Sequence, residues 1–121
     1  MAVNYKQEGK FINAAATDPA TPVSGDPVLV GTISGVAVTA ESDGNNATGE
    51  TTICTKGVFN LSVKCVNGGG NSAVAVGDKI YYVTADTPKL SKKTSGVAFG
   101  KALGTVQSGA TTTIPVMLIQ A

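Results

Sequence analysis

The sequence contains no histidine and no tryptophan, and it has only two cysteines. Histidine is the commonest general base and the commonest metal ligand in proteins. Its absence excludes every mechanism that depends on a Ser-His-Asp or Cys-His arrangement. Two cysteines alone cannot complete a four-ligand zinc site. We therefore expect no enzyme activity, no bound metal and no cofactor.

Charge is also scarce, because Asp, Glu, Lys and Arg make up only 14% of the 121 residues. Nine basic and eight acidic residues give a formal net charge of +1. A nucleic-acid partner is not expected, because domains that bind one carry an excess of lysine and arginine. Lys89, Lys92 and Lys93 form one local basic cluster, for which a solvated loop is the expected role.

Long hydrophobic runs are missing as well. No segment approaches the roughly 20 apolar residues of a membrane-spanning helix, and the opening residues MAVNYKQEG lack the apolar core of a secretory signal. We expect synthesis in the cytoplasm and no membrane partner. In that reducing compartment Cys54 and Cys65 are expected to be free thiols packed in the core.

One segment superficially resembles a phosphate-binding loop, namely GVAFGKA at residues 96–102. Such a loop needs four residues between its glycines and a Ser or Thr after its lysine. Here only three residues separate the glycines, and Ala102 follows the lysine. The segment therefore predicts a strand rather than a nucleotide site.

Short apolar runs alternate with turn residues roughly every ten positions, and helical periodicity is absent. This pattern predicts an all-β fold, a small antiparallel β-barrel or sandwich formed by a single domain over residues 1–121. The predicted strands cover residues 4–7, 11–15, 28–33, 36–40, 51–66, 79–84, 97–106 and 112–119. Turns are predicted at Ser34-Gly35 and Ser108-Gly109, a bend or tight hairpin at Gly57, and polar loops at 42–49 and 86–95.

The sequence also contains two similar segments. A Gly-Asp pair at 25–26 precedes the apolar run VLV, and a Gly-Asp pair at 77–78 precedes IYYV, 52 residues later. Similar segments follow each copy, GVAV and TTI after the first and GKAL and TTI after the second. Either the chain contains two pseudo-repeated strand–hairpin units, or common turn–strand patterns coincide. The sequence leaves both interpretations open.

Five segments point to a known family: NYKQEG (4–9), VSGDPVLVG (23–31), GVA (35–37), GVFNL (57–61) and VGDKIYY (76–82). In this order they resemble the capsid cement, or head decoration, proteins of tailed phages, whose older label is phage recombinase. The chain departs from that pattern in its long loop between Ala40 and Thr51 and in Ser62, where the family has proline.

The resemblance implies a structural virion protein that binds the outer surface of an assembled phage head through the major capsid protein and stabilises the head. One alternative is a host-surface adhesion module that is displayed on the virion and uses exposed loops, such as 42–49, to bind the host. Another is a recombination accessory protein, against which the broken phosphate-loop pattern and the low net charge argue. Self-association into a symmetric oligomer, such as a trimer, is expected because small sheets need to cover their edges.

Residues 1–22 are predicted to comprise an N-terminal strand region, or arm, and the proline-bearing loop at 16–22. The arm is either an ordinary first strand of its own barrel or a strand that adds to a neighbouring sheet edge. In the second case the candidate contacts with the capsid or an adjacent copy are Val3, Asn4, Tyr5, Lys6 and Gln7.

Overall fold

The computed structural model of the chain describes residues 11–16, 18, 22–39 and 49–119. These residues form eleven β-strands and no helix, which confirms the all-β prediction. In chain order the strands are β1 (Phe11–Ala14), β2 (Pro27–Val30), β3 (Ile33–Ala37), β4 (Thr51–Cys54), β5 (Val58–Lys64), β6 (Val66–Asn67), β7 (Gly70–Asn71), β8 (Lys79–Tyr82), β9 (Leu90–Ser91), β10 (Val97–Ala102) and β11 (Thr111–Leu118).

The strands form a sheet and a barrel. The first four make an antiparallel sheet in the order β1-β4-β3-β2, and five others close a barrel in the order β10-β11-β5-β9-β8. Within the barrel only the pairing of β5 with β9 is parallel. The short strands β6 and β7 form a separate two-stranded sheet. The predicted barrel is therefore present, with an open sheet beside it.

The strand register shows that the two similar segments of the sequence belong to a structural repeat. In the sheet, Val28 lies opposite Gly35; in the barrel, Ile80 lies opposite Gly100. The offset between the paired units is 52 residues on the first strand (80 − 28) and 65 on the second (100 − 35). The strand order β1-β4-β3-β2 likewise matches β5-β11-β10-β8. The pseudo-repeat interpretation is confirmed.

The first unit of the repeat is the sheet β1–β4, and the second is the barrel. The two units differ in how their strands are closed. In the barrel, β9 lies between β5 and β8, with Ser91 opposite Tyr81. Among the described residues of the first unit the equivalent place is held by Asp18 alone, whose backbone exchanges two hydrogen bonds with Leu29. The second unit is consequently a closed barrel, whereas the described part of the first unit is a sheet with a single bridge at its β2 edge.

The main hydrophobic core joins the two units. It contains the barrel interior together with Leu29 and Val36 of the sheet. At the joint, the Ser34 hydroxyl donates a 2.9 Å hydrogen bond to the Phe99 carbonyl oxygen. Phe99 lies at the register shift of β10, between Ala98 and Gly100. The hydrogen bond therefore joins β3 of the sheet directly to β10 of the barrel.

A second, smaller core belongs to the sheet alone. Its buried members are Val28, Ala37 and Ile53, with Ile12, Ala16 and Val30 packed against them. In the register of the repeat, three of these positions correspond to Ile80, Ala102 and Val116 of the barrel interior. The first unit therefore repeats the barrel's inward-facing pattern with side chains of similar size.

Some predicted element boundaries were wrong. The turn between β2 and β3 lies at Gly31-Thr32 rather than Ser34-Gly35, and Gly31 has a positive φ of 62°. The hairpin alternative at Gly57 (φ 123°) was also wrong, because β4 and β5 lie in different sheets. The polar loop 86–95 contains the buried strand β9. The final hairpin around Gly109 is confirmed.

Candidate interaction surface

An exposed apolar groove is lined by residues of both the sheet and the barrel. Its volume is about 530 Å³, and its lining is Phe11, Val38, Cys54, Lys56, Gly57, Val58 and Phe59. Phe11 is 49% exposed and Val58 is 51% exposed. Because soluble proteins seldom leave large apolar side chains clustered in water without a partner, this groove is a candidate contact surface.

The groove is also a product of the repeat. Phe11 at the start of β1 lies opposite Cys54 of β4. Val58 at the start of β5 lies opposite Met117 of β11. Phe11 and Val58 are therefore equivalent positions, brought side by side because the chain crosses from β4 into β5 at Gly57. The sheet and the barrel thus contribute exposed apolar residues from equivalent positions to the same groove.

Two rigid Gly-Asp turns project further apolar side chains. The Val23 N–H donates to Asp26 Oδ2 at 3.0 Å, and the Ala75 N–H donates to Asp78 Oδ2 at 2.8 Å. Val23 is 56% exposed, and Val76 in the second turn is 62% exposed. Because each carboxylate closes its own turn, the two valines are held in fixed positions rather than on mobile loops.

The three clustered lysines are not freely solvated, so that prediction was wrong. Each forms an ion pair, namely Lys89–Asp18 at 2.9 Å, Lys92–Asp78 at 3.3 Å and Lys93–Asp86 at 2.7 Å. The first two pairs attach the β9 segment to the first unit and to the second Gly-Asp turn. Partly exposed ion pairs contribute up to about 1 kcal/mol each, so their role is to fix the position of this segment.

Partly exposed polar side chains lie beside the buried Tyr82, whose ring stacks on Phe99 with centroids 6.1 Å apart. The Lys89 ammonium lies 5.5 Å from the Tyr82 ring centroid. Burial, followed by the negative charge of Asp18, raises the pKa of the Tyr82 phenol. Burial also opposes ionisation of Asp18, but hydrogen bonds with Thr84 and Lys89 and the Lys89 charge outweigh it and lower the pKa of that carboxyl.

Both cysteines are free and buried, as predicted. The Cys54 thiol donates to the Lys56 carbonyl oxygen at 2.9 Å, and the Cys65 thiol donates to the Val106 carbonyl oxygen at 3.0 Å. Burial raises the pKa of Cys65. A buried thiol that stays protonated is a poor nucleophile, which leaves Cys65 a packing role.

Comparison with known proteins decides the family. A model of the phage cement protein family matches residues 6–118. The chain belongs to the phage cement protein family. It is therefore a phage structural protein, and the resemblance inferred from the five sequence segments is confirmed. Comparison with curated proteins and with solved structures gives no significant match.

The predicted contact residues of this cement protein, Val3 to Gln7, lie outside the described residues, as does most of loop 42–49. The first described residue after the arm in sequence is Phe11, which lines the groove. Sequence reasoning missed the groove because its residues come from positions 11, 38, 54 and 56–59, which are separated in sequence. The one sequence feature that indicated this region was Gly57 inside an apolar run, because the chain passes from β4 of the sheet to β5 of the barrel at this glycine.

In residues 11–16, 18, 22–39 and 49–119, no three or more Cys, Asp or Glu side chains are grouped to hold a metal ion. No helix in those same ranges has the length and apolar character needed to cross a bilayer. The phosphate-loop-like segment forms β10, which confirms the prediction of a strand there.

The cement protein is expected to lose stability in alkali because of Tyr82. The unfolded chain releases the phenol proton near the ordinary tyrosine pKa of about 10, whereas the folded chain retains it to higher pH. This contribution to stability is complete below about pH 10 and is lost as pH rises towards the raised pKa of the folded state. Urea midpoints measured by circular dichroism from neutral to strongly alkaline pH should show the decline.

Tyr82→Phe is expected to flatten that decline, and Tyr81→Phe on the same strand serves as the matched control. Lysine titration affects all three proteins alike and so cancels in the comparison. An alkaline decline in Tyr82→Phe as steep as in the parent protein would assign the effect to other groups.

Proposed function

We propose that this chain binds the outer surface of an assembled phage head, contacts the major capsid protein there and stabilises the head. The family match over residues 6–118 carries the proposal. A cement role requires contact area and rigidity rather than catalysis, and a chain without histidine suits a protein that is not an enzyme. Many copies on one lattice gain avidity even when each contact is modest.

The apolar groove supports the proposal by offering a contact surface. Complete burial of an apolar side chain stabilises a contact by about 1.5–3 kcal/mol, and Phe11 and Val58 are each about half exposed in the isolated chain. The rigid turn valines Val23 and Val76 offer two further contacts. Because these positions are fixed by the repeat, little conformational entropy is lost on binding.

The N-terminal arm is proposed as a second contact. Val3, Asn4, Tyr5, Lys6 and Gln7 precede β1, which is the end strand of the four-stranded sheet. A segment leading into an end strand can add to the sheet of a neighbour, where main-chain hydrogen bonds give affinity. The neighbour is either the capsid or an adjacent copy in a symmetric oligomer, such as a trimer.

The remaining elements of the proposal follow from the same role. Residues 1–121 form a single domain, which the core shared by Leu29, Val36 and the barrel supports. The protein is made in the host cytoplasm and reaches the virion by assembly. Its partners are capsid proteins rather than nucleic acid or membrane, and it uses no cofactor.

Heads lacking the protein are expected to release DNA at a lower temperature than heads saturated with it, because bound copies add contacts between capsid subunits. Dye access to the packaged DNA during heating measures that temperature.

Val58→Ser should weaken head binding by roughly tenfold if the groove is buried on binding. Ile33→Ser, at an exposed apolar residue outside the groove, is the matched control.

Deletion of residues 2–7 tests the arm in the same assay, with circular dichroism to show that the truncated protein still folds. Bare heads as heat-resistant as saturated ones would disprove stabilisation. Reduced adsorption to host cells with unchanged head strength would instead favour the adhesion alternative. A salt-sensitive gel shift with DNA would favour the recombination alternative.

A further inference from the structure

A second pocket lies on the barrel surface and has a lysine on each of two neighbouring strands. Its volume is about 310 Å³, and it is lined by Lys79, Ile80, Ala98, Gly100, Lys101 and Ile119. Lys79 on β8 lies directly opposite Lys101 on β10. Like charges at directly opposite positions destabilise a sheet. The Lys79–Lys101 pair therefore does not stabilise the fold.

The repeat supplies an internal comparison for this pair. At the equivalent register of the first unit, Pro27 lies opposite Val36. That apolar pair occupies the same place in the same strand arrangement. The backbone consequently does not require lysine at either position, and the Lys79–Lys101 pair is particular to the second unit.

The surroundings do not neutralise the two lysines. No ion pair joins Lys79 or Lys101 to a carboxylate in the part of the chain that the structure describes, where Asp18, Asp78 and Asp86 are each paired with another lysine. None of the described residues that line the pocket is acidic. The pocket therefore presents two ammonium groups that have no described acidic partner.

The shape of the pocket comes from an irregularity in β10. The register against β8 shifts between Ala98 and Gly100, which is a β-bulge. Bulges occur often beside binding sites, where they redirect side chains. Ala98 and Ile119, which are partly exposed, give the lining an apolar part. A ligand with a short aliphatic stem and a negative end fits this combination of an apolar lining and two lysines.

We propose that the pocket binds a carboxylate of the capsid subunit, carried on an acidic side chain of a surface segment. This inference rests on the proposed function and names the chemistry of the partner. The two ammonium groups would each donate a charge-assisted hydrogen bond to the carboxylate. Binding would also remove the like-charge repulsion across β8 and β10.

Lys79→Gln and Lys101→Gln are expected to weaken binding to heads by roughly tenfold each, the order of one charge-assisted contact. Both should also reduce the dependence of binding on salt. Lys64→Gln is the matched control, because Lys64 is an exposed lysine of β5 in the same barrel and lies outside the pocket. Head binding by the two pocket variants equal to that of the parent protein would overturn the proposal.

The stability of the isolated variants provides a readout that a structural role would not produce. Each pocket substitution should raise the urea midpoint slightly or leave it unchanged, since it removes one of two opposed positive charges. Binding and stability would then move in different directions. A clear fall in the midpoint of both variants would mean that the lysines serve the fold, and this would overturn the proposal.

A capped triglutamate peptide tests the pocket without heads. Amide shifts of β8 and β10, followed by NMR, should change with triglutamate and not with trilysine. If the peptide binds but heads do not, the carboxylate site is supported and the proposed function fails. If heads bind and are stabilised but neither the peptide nor the lysine variants have an effect, the site fails and the function stands. Binding of a short DNA duplex through the same lysines at physiological salt would overturn the assignment to a protein carboxylate.

Discussion

Replacing Phe99 by alanine is expected to lower the free energy of unfolding by about 3–5 kcal/mol, the range for removing a fully buried aromatic side chain. Phe99 is completely buried, and its ring stacks on Tyr82. Its carbonyl oxygen also accepts the hydrogen bond from Ser34 that joins the two units. The cavity would therefore open where the sheet and the barrel share their core.

Urea unfolding followed by circular dichroism measures this effect. Phe99→Leu keeps most of the buried volume and should recover much of the loss. Val76→Ala, at a residue that is 62% exposed, should change stability by no more than about 0.5 kcal/mol. A Phe99→Ala protein as stable as Val76→Ala would show that the joint does not depend on this ring.

The pseudo-repeat shows how far sequence alone could predict the fold. The two Gly-Asp pairs can be recognised in the sequence because an aspartate that closes a turn follows its glycine directly. In both turns the aspartate carboxylate accepts a backbone N–H three residues earlier. The equivalence of β1 and β5 is not visible. Phe11 and Val58 share only their apolar character, and the distance between equivalent residues changes from 52 to 47 when the comparison moves from the Gly-Asp turns to these strands.

The β9 segment illustrates what local pattern cannot predict. Leu90 and Ser91 form a strand of only two residues inside a polar loop, which is too short for any periodicity to appear. Lys89, which was predicted to be solvated, pairs with Asp18 across 71 residues. Leu90 of β9 lies opposite Val63 of β5. Both the closure of the barrel and this ion pair depend on residues distant in sequence, so local pattern could not predict them.

Both candidate surfaces were beyond sequence reasoning for the same reason. The groove joins Phe11 to Val58, and the pocket joins Lys79 to Lys101, only after the strands have paired. The sequence did indicate that the chain has little charge, no catalytic histidine and the family's ordered segments. Those observations predict the kind of protein, whereas the places of contact depend on register.

Alanine at Gly100 is expected to destabilise the chain by about 1–3 kcal/mol or more, the usual cost of forcing extra atoms into a packed site. A Cβ there would collide with the backbone carbonyl oxygen of Met117 on β11. The equivalent residue of the first unit, Gly35, has the same constraint, since its Cβ would overlap a methyl group of Ile53 and crowd the Cys54 carbonyl oxygen. Glycine at these two positions therefore allows close strand approach rather than a turn.

The repeat predicts an order of effects that unfolding in urea can measure. Gly100→Ala should cost most, because a carbonyl oxygen cannot move without disturbing the β10–β11 ladder. Gly35→Ala should cost less, because part of its obstacle is a side chain that can change rotamer. Gly68→Ala is the control, since no atom other than those of its chain neighbours lies within 4 Å of its Cβ position. Because alanine reduces the number of unfolded conformations, that variant should be as stable as the parent or slightly more so. Equal stability of all three variants would mean that the strands can separate to admit a methyl group, and close packing at the paired glycines would then not explain why both units have them.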